Sequence, residues 1–486
     1  MNEMRCPLSR TAERIPDLPA IISSKRTISF KELEQLVHRT ASNLKETGVQ
    51  RHSLVAILGN NSLEYCLLIL STLRIGAIVC PINHRWPKGA IQNALIQTDC
   101  HDTILTDSNS GESNLQGTKV WSADKLVPTR AEQSVFRAQP VIQLNNPATI
   151  IFTSGTGSEP KAALLSYGNY YYNALGANQK IPFHEGHRWL LSLPLYHVGG
   201  LGILFRAIIG GGAIVISEKD QSILDAISKY EITHLSLVPT QLYRLLREHK
   251  FRFANSNPIV LTGGGPISPE LLEKAQTAGL KIYRTYGLTE MASQVTTYKS
   301  GKKMHSGKLL RHRQLKIADT GEILVKGKTL FLGYTRNGNT ELPVDVDGWF
   351  HTGDIGELDN RGFLTVHGRK DNMINSGGEN IHPEEIESRL MQLEYIEEAL
   401  VVGISDEEYG LRPAAFVRFV GGNRVSDKEI IAALEITLPR YKIPKIYLDW
   451  PEPLTEGTLK LNRARFLKLA NDMTVSRLRK TPEAAS

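Results

Sequence analysis

The stretch ATIIFTSGTGSEPK, residues 148–161, decides the architecture that this sequence predicts. It joins an apolar run, residues 148–152, to a loop of glycines and hydroxyl residues that ends at Lys161. A buried strand followed by such a loop lets backbone N–H groups and hydroxyls surround phosphate oxygens, while the lysine adds positive charge. The Walker spacing Gly-x4-Gly-Lys-Ser/Thr is absent. An ordinary surface turn can have the same composition, so the loop alone leaves both interpretations open.

Helical and strand patterns alternate on both sides of this stretch. Apolar spacing predicts helices over residues 28–47, with Ser29 as N-cap, and over residues 62–75. Strands are predicted at residues 54–58, 77–81, 189–193, 213–216, 234–238 and 259–261. Such alternation favours an α/β fold with largely parallel strands, in which ligand sites lie in the loops that follow the strands.

The pattern changes in the last third of the chain. Short alternating strands with turn signals, residues 315–325 and 349–366, predict a small β unit that finishes the large domain. The polar stretch 368–373 has the composition of a hinge, and the remainder predicts a compact α+β module. We therefore expect an N-terminal domain of residues 1–368 and a C-terminal domain of residues 369–486.

Composition and charge favour an ordinary globular protein. Hydrophobic residues make up 41% and charged residues 22% of the 486 residues. The net charge is +7 and the basic residues are scattered along the chain, so the charge gives only weak support for nucleic-acid binding. The four cysteines lack zinc spacing or disulfide density, and the charged, proline-containing start is not a signal peptide. We expect a cytoplasmic protein with reduced thiols, no nucleic-acid partner and no integral membrane segment.

Further motifs follow the loop in a fixed order: LPLYH at 193–197, TGGG at 262–265, YGLTE at 286–290, GWFHTGD at 348–354, Gly368-Arg369 and SGGEN at 376–380. Together they resemble the adenylate-forming superfamily, which includes acyl-CoA synthetases, luciferases and peptide-synthetase adenylation domains. The resemblance spans almost the whole chain. It implies a large domain of layered α/β subdomains, a mobile C-terminal α+β domain, and use of ATP, Mg²⁺ and coenzyme A.

The resemblance also implies an ATP and AMP site. Its residues are Thr153, Ser154, Gly155, Thr156, Lys161, Gly263, Gly264, Gly265, Tyr286, Gly287, Thr289, Asp354 and Arg369. Asp354 would accept both ribose hydroxyls, although an Asx turn is the simpler interpretation, and Tyr286 would stack on adenine. Thr156 and Glu290 would hold Mg²⁺ on the triphosphate.

Catalysis is implied for Lys460, His197, Thr156 and Glu290, with Lys460 neutralising charge that develops on the α-phosphate. Asp371 matches the hinge, and Gly377 with Gly378 would leave room for the pantetheine arm of coenzyme A. Two positions depart from the family pattern: Leu459 replaces the usual glycine before the lysine, and the order Gly157-Ser158 is altered.

Within the superfamily, the closest resemblance is to the o-succinylbenzoate-CoA ligases of menaquinone synthesis, through residues 191–201, 236–246, 286–293 and 457–460. It implies an acid site at His197, Gly264 and Arg206. The acid has two carboxylates, one activated and one held without reacting, so a cation is expected. Arg206, inside an apolar run, is the preferred partner, although it could instead pair with a structural acid or extend to the surface.

Three alternatives stay open at this point. The first is a ligase for another aryl or fatty acid, and the second is an adenylation domain that loads a carrier-protein thiol, disfavoured because no carrier domain follows. The third is a regulatory pseudoenzyme, weakened by the retention of Lys161, Glu290, Asp354 and Lys460. The sequence leaves open whether the chain forms a homo-oligomer.

Overall fold

The structure is a computed structural model. It describes residues 2–106, 115–130, 140–153, 160–218, 220–247, 257–265, 267, 269–301, 305–376, 379–406, 408–451 and 463–478, with the backbone alone at 270, 380 and 474–478. The helices are Pro7–Arg14, Phe30–Glu46, Leu63–Ile75, Lys88–Thr98, Ala123–Leu126, Tyr167–Lys180, Val198–Gly210, Ile223–Tyr230, Pro239–Arg247, Pro269–Thr277, Pro383–Leu390, Asp427–Glu435 and Arg463–Leu478. None of the helices in these ranges is long and apolar enough to cross a membrane.

Two large mixed sheets form the N-terminal part. In spatial order, the first contains Asn339–Glu341, Gly333–Arg336, Lys161–Ser166, Pro147–Thr153, Ile78–Ile82, Leu54–Leu58, Asp102–Leu105 and Lys119–Ser122. The second contains Lys308–Leu309, Ser293–Lys299, Lys281–Leu288, Ile259–Thr262, His234–Leu237, Arg188–Leu190, Ala213–Ile216, Pro19–Ser23 and Thr27–Ser29. Most pairings are parallel in the interior and antiparallel at one end or both, as the predicted α/β class requires.

Successive residues of a strand enter different hydrophobic clusters, so both faces of each large sheet are covered. In the first sheet, Val55 and Ile57 join a cluster shared with the second sheet, whereas Ala56 and Leu58 join a separate cluster on the other face. Helices contribute residues to these clusters; Leu204, for example, belongs to the cluster that the two sheets share. The result is a layered α/β arrangement with a helix layer between the sheets.

The remaining sheets are smaller. Arg313–Ile317, Glu322–Gly327, Phe350–Leu358 and Leu364–Arg369 form an antiparallel sheet, which is the predicted β unit. Glu379–Ile381, Ile374–Ser376, Gly410–Phe419, Ile396–Asp406 and Ile446–Asp449 form the sheet of the C-terminal module, and Glu3–Arg5 pairs with Val141–Gln143. The smaller C-terminal domain therefore has the predicted α+β class.

Local signals explain most element ends, and two predicted strands need correction. Ser29 accepts a hydrogen bond from the Glu32 N–H and starts the predicted helix, now bounded as Phe30–Glu46. The strand predicted to end at Pro81 continues to Ile82 and pairs along its length with Leu54–Leu58. Its other neighbour, Pro147–Thr153, pairs with it only at Val79 and therefore needs no N–H from the proline. The strand predicted at 189–193 is Arg188–Leu190, since the chain turns away beyond it.

Candidate active site

The glycine and hydroxyl loop joins two antiparallel strands, Pro147–Thr153 and Lys161–Ser166. Thr153 and Lys161 are Cα partners in the register, and Thr153 Oγ1 donates to the Lys161 carbonyl oxygen at 3.5 Å. The loop thus lies at the end of a hairpin, unlike a Walker loop, which leads into a helix. Its members Ser154, Gly155 and Thr156 lie outside the described residues.

Lys161 belongs to a small polar cluster with two other side chains. Its Nζ lies 5.0 Å from the ring centroid of Tyr334, and the Tyr334 hydroxyl donates to Glu290 Oε1 at 2.5 Å. Burial and the negative charge of Glu290 raise the pKa of Tyr334. No sequence pattern pointed to Tyr334. It reaches the cluster because its strand pairs with Lys161–Ser166, which places it opposite Ala163.

Glu290 lies in the single turn Thr289–Met291, and the two residues after this turn have a strained backbone. Ala292 and Ser293 have φ of 54° and 106°, values that residues other than glycine adopt at a cost of about 1 to 3 kcal/mol. Such strain clusters at functional sites. The turn predicted to contact phosphate and metal is therefore held in one conformation by its surroundings.

Asp354 lies between two donors. Its Oδ2 accepts from the Tyr286 hydroxyl at 2.7 Å, and its Oδ1 accepts from Arg369 Nη1 at 3.2 Å. Asp354 and Arg369 are Cα partners on neighbouring strands, and Arg369 Nη2 also contacts Asp371 Oδ2 at 3.1 Å. Burial alone lowers the pKa of Arg369, but the charges of Asp354 and Asp371 outweigh burial and raise it. The structure thus brings Tyr286, Asp354 and Arg369 together, and Asp371, the predicted hinge residue, lies beside them.

The glycines of the predicted adenine site have structural reasons of their own. A Cβ on Gly263 would meet Thr285, and a Cβ on Gly287 would collide with the Ser293 carbonyl oxygen. Gly264 has φ of 82°, in the left-handed region that favours glycine. Gly265 has no such constraint, because a Cβ there would make only ordinary contact. Adenine contact by these glycines stays a prediction.

His197 and Arg206 lie on one helix. His197 precedes Val198–Gly210 as its N-cap residue, and its carbonyl oxygen accepts from the Gly200 and Leu201 N–H groups. Arg206 lies nine residues later, roughly 13 Å along the axis. The two predicted acid-site residues are thus about two and a half turns apart on one helix.

Arg206 is buried without a carboxylate partner among the residues that the structure describes. It is 2% exposed, its Cζ lies 5.0 Å from the Trp189 ring centroid, and its Nε has no hydrogen-bond acceptor there. Burial lowers the pKa of its guanidinium to about 9. Neither simple alternative fits: Arg206 does not reach the surface, and no acid in the described ranges pairs with it.

Of the predicted C-terminal residues, Asp371 lies in the turn Lys370–Asn372, whereas Gly377, Gly378 and Lys460 fall outside the described residues. Arg463 begins the last helix and binds two carboxylates, with Nη1 at 2.5 Å from Glu387 Oε1 and Nη2 at 3.4 Å from Glu384 Oε1. Arg463 thus anchors the chain three residues beyond Lys460.

A cavity of about 680 Å³ lies in the C-terminal module, beside the strand that precedes Gly377. Its lining includes Ser376 and the charged residues Arg412, Arg440, Lys445 and Glu435. Glu435 pairs with Arg440, and Lys445 pairs with Asp406. The remaining excess of positive charge makes this a cationic cavity, which suits a phosphorylated ligand.

Two family models match the chain: AMP-binding enzyme over residues 8–335, and AMP-binding enzyme C-terminal domain over residues 385–452. A 2-succinylbenzoate–CoA ligase of Listeria monocytogenes is 32% identical over 446 residues, covering 90% of this chain and 93% of the relative. The o-succinylbenzoate CoA synthetase (MenE) of Bacillus subtilis, in complex with the acyl-adenylate intermediate OSB-AMP, matches with TM-score 0.85 and 30% identity over 96% of this chain and 98% of that chain. The same synthetase with ATP and magnesium ion matches with TM-score 0.86 and 30% identity, over 96% and 100%.

Proposed function

The chain belongs to the AMP-binding enzyme family, and from that premise we propose that it is an AMP-forming ligase that joins o-succinylbenzoate to coenzyme A in menaquinone synthesis. The relatives cover nearly the whole chain, which supports a complete ligase reaction. The observation that carries the choice of acid is Arg206, a buried cation with no carboxylate partner in the described part of the protein.

The first step makes a better acyl donor. A succinyl carboxylate oxygen attacks the α-phosphorus of ATP, the bond between the α- and β-phosphates breaks, and pyrophosphate leaves with the bonding electrons. Asp354 and Arg369 hold the ribose, with Tyr286 fixing the orientation of Asp354 through its 2.7 Å bond. Thr153, Lys161 and Thr289 bind phosphate oxygens, and Lys460 stabilises the charge that develops on the α-phosphate.

Glu290 fits a magnesium ion that is held mainly by the triphosphate. Mg²⁺ binds through one or two carboxylates together with phosphate oxygens and water. Glu290 supplies one such carboxylate, and the Tyr334 hydroxyl fixes its Oε1. The bound ion would neutralise phosphate charge, with Thr156 as the second proposed protein ligand.

The second step forms the thioester. The coenzyme A sulfur attacks the acyl carbon, the bond between that carbon and the AMP oxygen breaks, AMP leaves with the bonding electrons, and the thiol proton passes to water. We propose that the C-terminal domain, from residue 369 onward, rotates about Asp371, so that Lys460 gives way to Gly377 and Gly378 beside the pantetheine arm. The cationic cavity beside Ser376 supports coenzyme A binding by the same module.

The acid site combines three features. His197 lies at the helix start, Gly264 leaves a face without a side chain, and Arg206 holds the ring carboxylate so that only the succinyl carboxylate reaches ATP. A ligase for simple aryl or fatty acids would have no use for a cation buried this way.

A pyrophosphate-release screen tests the proposal. The chain is incubated with ATP and Mg²⁺, with and without coenzyme A, and with o-succinylbenzoate, benzoate or a fatty acid. We expect release with o-succinylbenzoate and thioester only when coenzyme A is present. Brisk turnover of benzoate or the fatty acid would support the alternative ligase. Pyrophosphate release without thioester in the presence of coenzyme A would support a domain that loads a carrier-protein thiol.

We also infer a cytoplasmic location. ATP and coenzyme A are available there, and reducing conditions suit four cysteines that are all buried as free thiols.

A further inference from the structure

A second buried arginine, Arg313, packs against the helix Tyr167–Lys180, whose Asn178 donates to the Arg206 carbonyl oxygen at 3.3 Å. Arg313 begins the strand Arg313–Ile317 and is only 5% exposed. Burial lowers the pKa of the Arg313 guanidinium to about 9, and the positive charge of Arg206 contributes to the lowering. Because a guanidinium stays protonated near neutral pH, the fold buries two interacting positive charges.

The two guanidiniums lack counter-charges in the described ranges of the chain. Arg313 Nη1 and Nη2 and Arg206 Nε are buried without a hydrogen-bond acceptor there, and Arg313 Nε makes only a long bond of 3.4 Å to Thr329 Oγ1. Buried charges are normally paired, because leaving them unpaired is costly. The free donors of both residues therefore indicate an anion that is not part of these residues.

Arg313 is connected to the candidate active site through one helix. This helix is Tyr167–Lys180, and its Gly176 leaves space for Arg313, because a Cβ on Gly176 would lie only 3.0 Å from Arg313 Nη1. Asn173, on the same helix, donates to the Met291 carbonyl oxygen at 3.2 Å and so supports the turn that carries Glu290. Arg313 thus packs against the helix that supports the turn carrying Glu290.

We propose that Arg313 joins Arg206 in one anion site, and that this pair selects an acid with a second carboxylate. The inference rests on the proposed function and deepens it. A carboxylate has two oxygens with about four acceptor sites, enough for donors from two guanidiniums. An acid without the second carboxylate leaves both cations unpaired, so the pair disfavours simple aryl and fatty acids.

The test compares Arg313→Met with Arg311→Met, which removes the same charge from an exposed position two residues away. Rates are measured with o-succinylbenzoate and with an analogue that lacks the ring carboxylate. For Arg313→Met we expect a loss of roughly ten- to a hundredfold in kcat/KM for o-succinylbenzoate, an unchanged KM for ATP, and a loss below about threefold for the analogue. Arg311→Met should match the parent.

Thermal unfolding separates binding from packing. Arg313→Met should be at least as stable as the parent without ligand, because an unpaired charge is removed, and it should gain less stability from o-succinylbenzoate. Arg313→Lys, which keeps the charge, should retain part of that gain.

Equal losses for both acids, or no loss for either, would overturn the role of Arg313 while leaving the parent's ligase activity intact. A parent enzyme that does not use o-succinylbenzoate would overturn the proposed function, and this inference with it.

Discussion

Tyr286 donates a hydrogen bond of 2.7 Å to Oδ2 of Asp354, although the two residues are 68 positions apart in the chain. The other carboxylate oxygen accepts from Arg369 at 3.2 Å. Asp354 therefore has protein partners as well as its proposed ribose partners. A substitution at this position acts on both the fold and the nucleotide, so the choice of replacement decides what is measured.

We predict that Asp354→Asn weakens ATP use and loses less stability than Asp354→Ala. The amide oxygen can still accept from Tyr286, whereas the amide nitrogen cannot accept from Arg369. A neutral acceptor also binds the ribose diol less strongly than a carboxylate. The KM for ATP should rise about tenfold, and the KM for the acid should stay unchanged. Asp354→Ala should in addition lose about 1 to 3 kcal/mol of unfolding free energy, because donors lose their acceptor. An unchanged KM for ATP in Asp354→Asn would favour a purely structural carboxylate.

Lys460→Ala should separate the two half-reactions. Adenylation should fall at least about a hundredfold, because the proposed role of the lysine is to stabilise charge in that step alone. Thioester formation from supplied acyl-adenylate should be largely intact. Lys468→Ala, an exposed lysine on the last helix, is the matched control and should affect neither step. Equal loss of both half-reactions in Lys460→Ala would contradict the rotation of the C-terminal domain.

Tyr334→Phe should raise the Mg²⁺ concentration needed for half-maximal adenylation. The change removes the hydroxyl that donates to Glu290 Oε1, so the carboxylate is less well oriented toward the ion. Loss of a hydrogen bond to a charged group corresponds to roughly a tenfold shift. The comparison is a magnesium titration of parent and variant at saturating acid. If the titration curves coincide, Tyr334 does not position Glu290 for metal binding.

The sequence predicted those features that depend on neighbours along the chain. The strand Pro147–Thr153 and the glycine and hydroxyl composition of the segment between it and Lys161 are local patterns. The helix start at Ser29 depends on a contact three residues away. Tyr334 depends on a strand register with Ala163, which no local pattern encodes. Arginine is a residue type that is mostly exposed, so no local pattern indicates that tertiary packing buries Arg313.

His234 should make stability fall as the pH is lowered. Burial, the neighbouring His187 and, to a smaller extent, Arg206 and His184 lower the pKa of His234 to about 3 from 6.5. The folded state therefore favours the neutral ring, so this contribution is complete above pH 6.5 and is lost as the pH falls toward 3. The slope is up to about 1.4 kcal/mol per pH unit.

Denaturant unfolding of His234→Phe at pH 7, 6, 5 and about 4 measures that slope. Phenylalanine keeps a ring beside Trp189 but does not titrate, so the variant should lose less stability between pH 6 and 4 than the parent. His101→Phe, at an exposed histidine, is the control and should keep the parent's slope. Parallel pH dependence in all three proteins would mean that His234 does not titrate in this way.

Arg206→Ala tests substrate choice directly. If Arg206 holds the ring carboxylate, the variant should lose about ten- to a hundredfold in kcat/KM for o-succinylbenzoate, the value of one charge-assisted pair, with the KM for ATP nearly unchanged. The analogue without the ring carboxylate should already be poor with the parent enzyme. It should lose much less in the variant, because the partner of the arginine is then absent from both measurements.

The comparison of the two acids also separates binding from packing at Arg206. The guanidinium lies 5.0 Å from the Trp189 ring, so its removal leaves a gap in the core that would slow both acids alike if packing were its role. Arg206→Met fills much of that gap without a charge and should show the same discrimination between the acids as Arg206→Ala. Equal losses for both acids in both variants would make Arg206 structural, and the ring carboxylate would then require another cation.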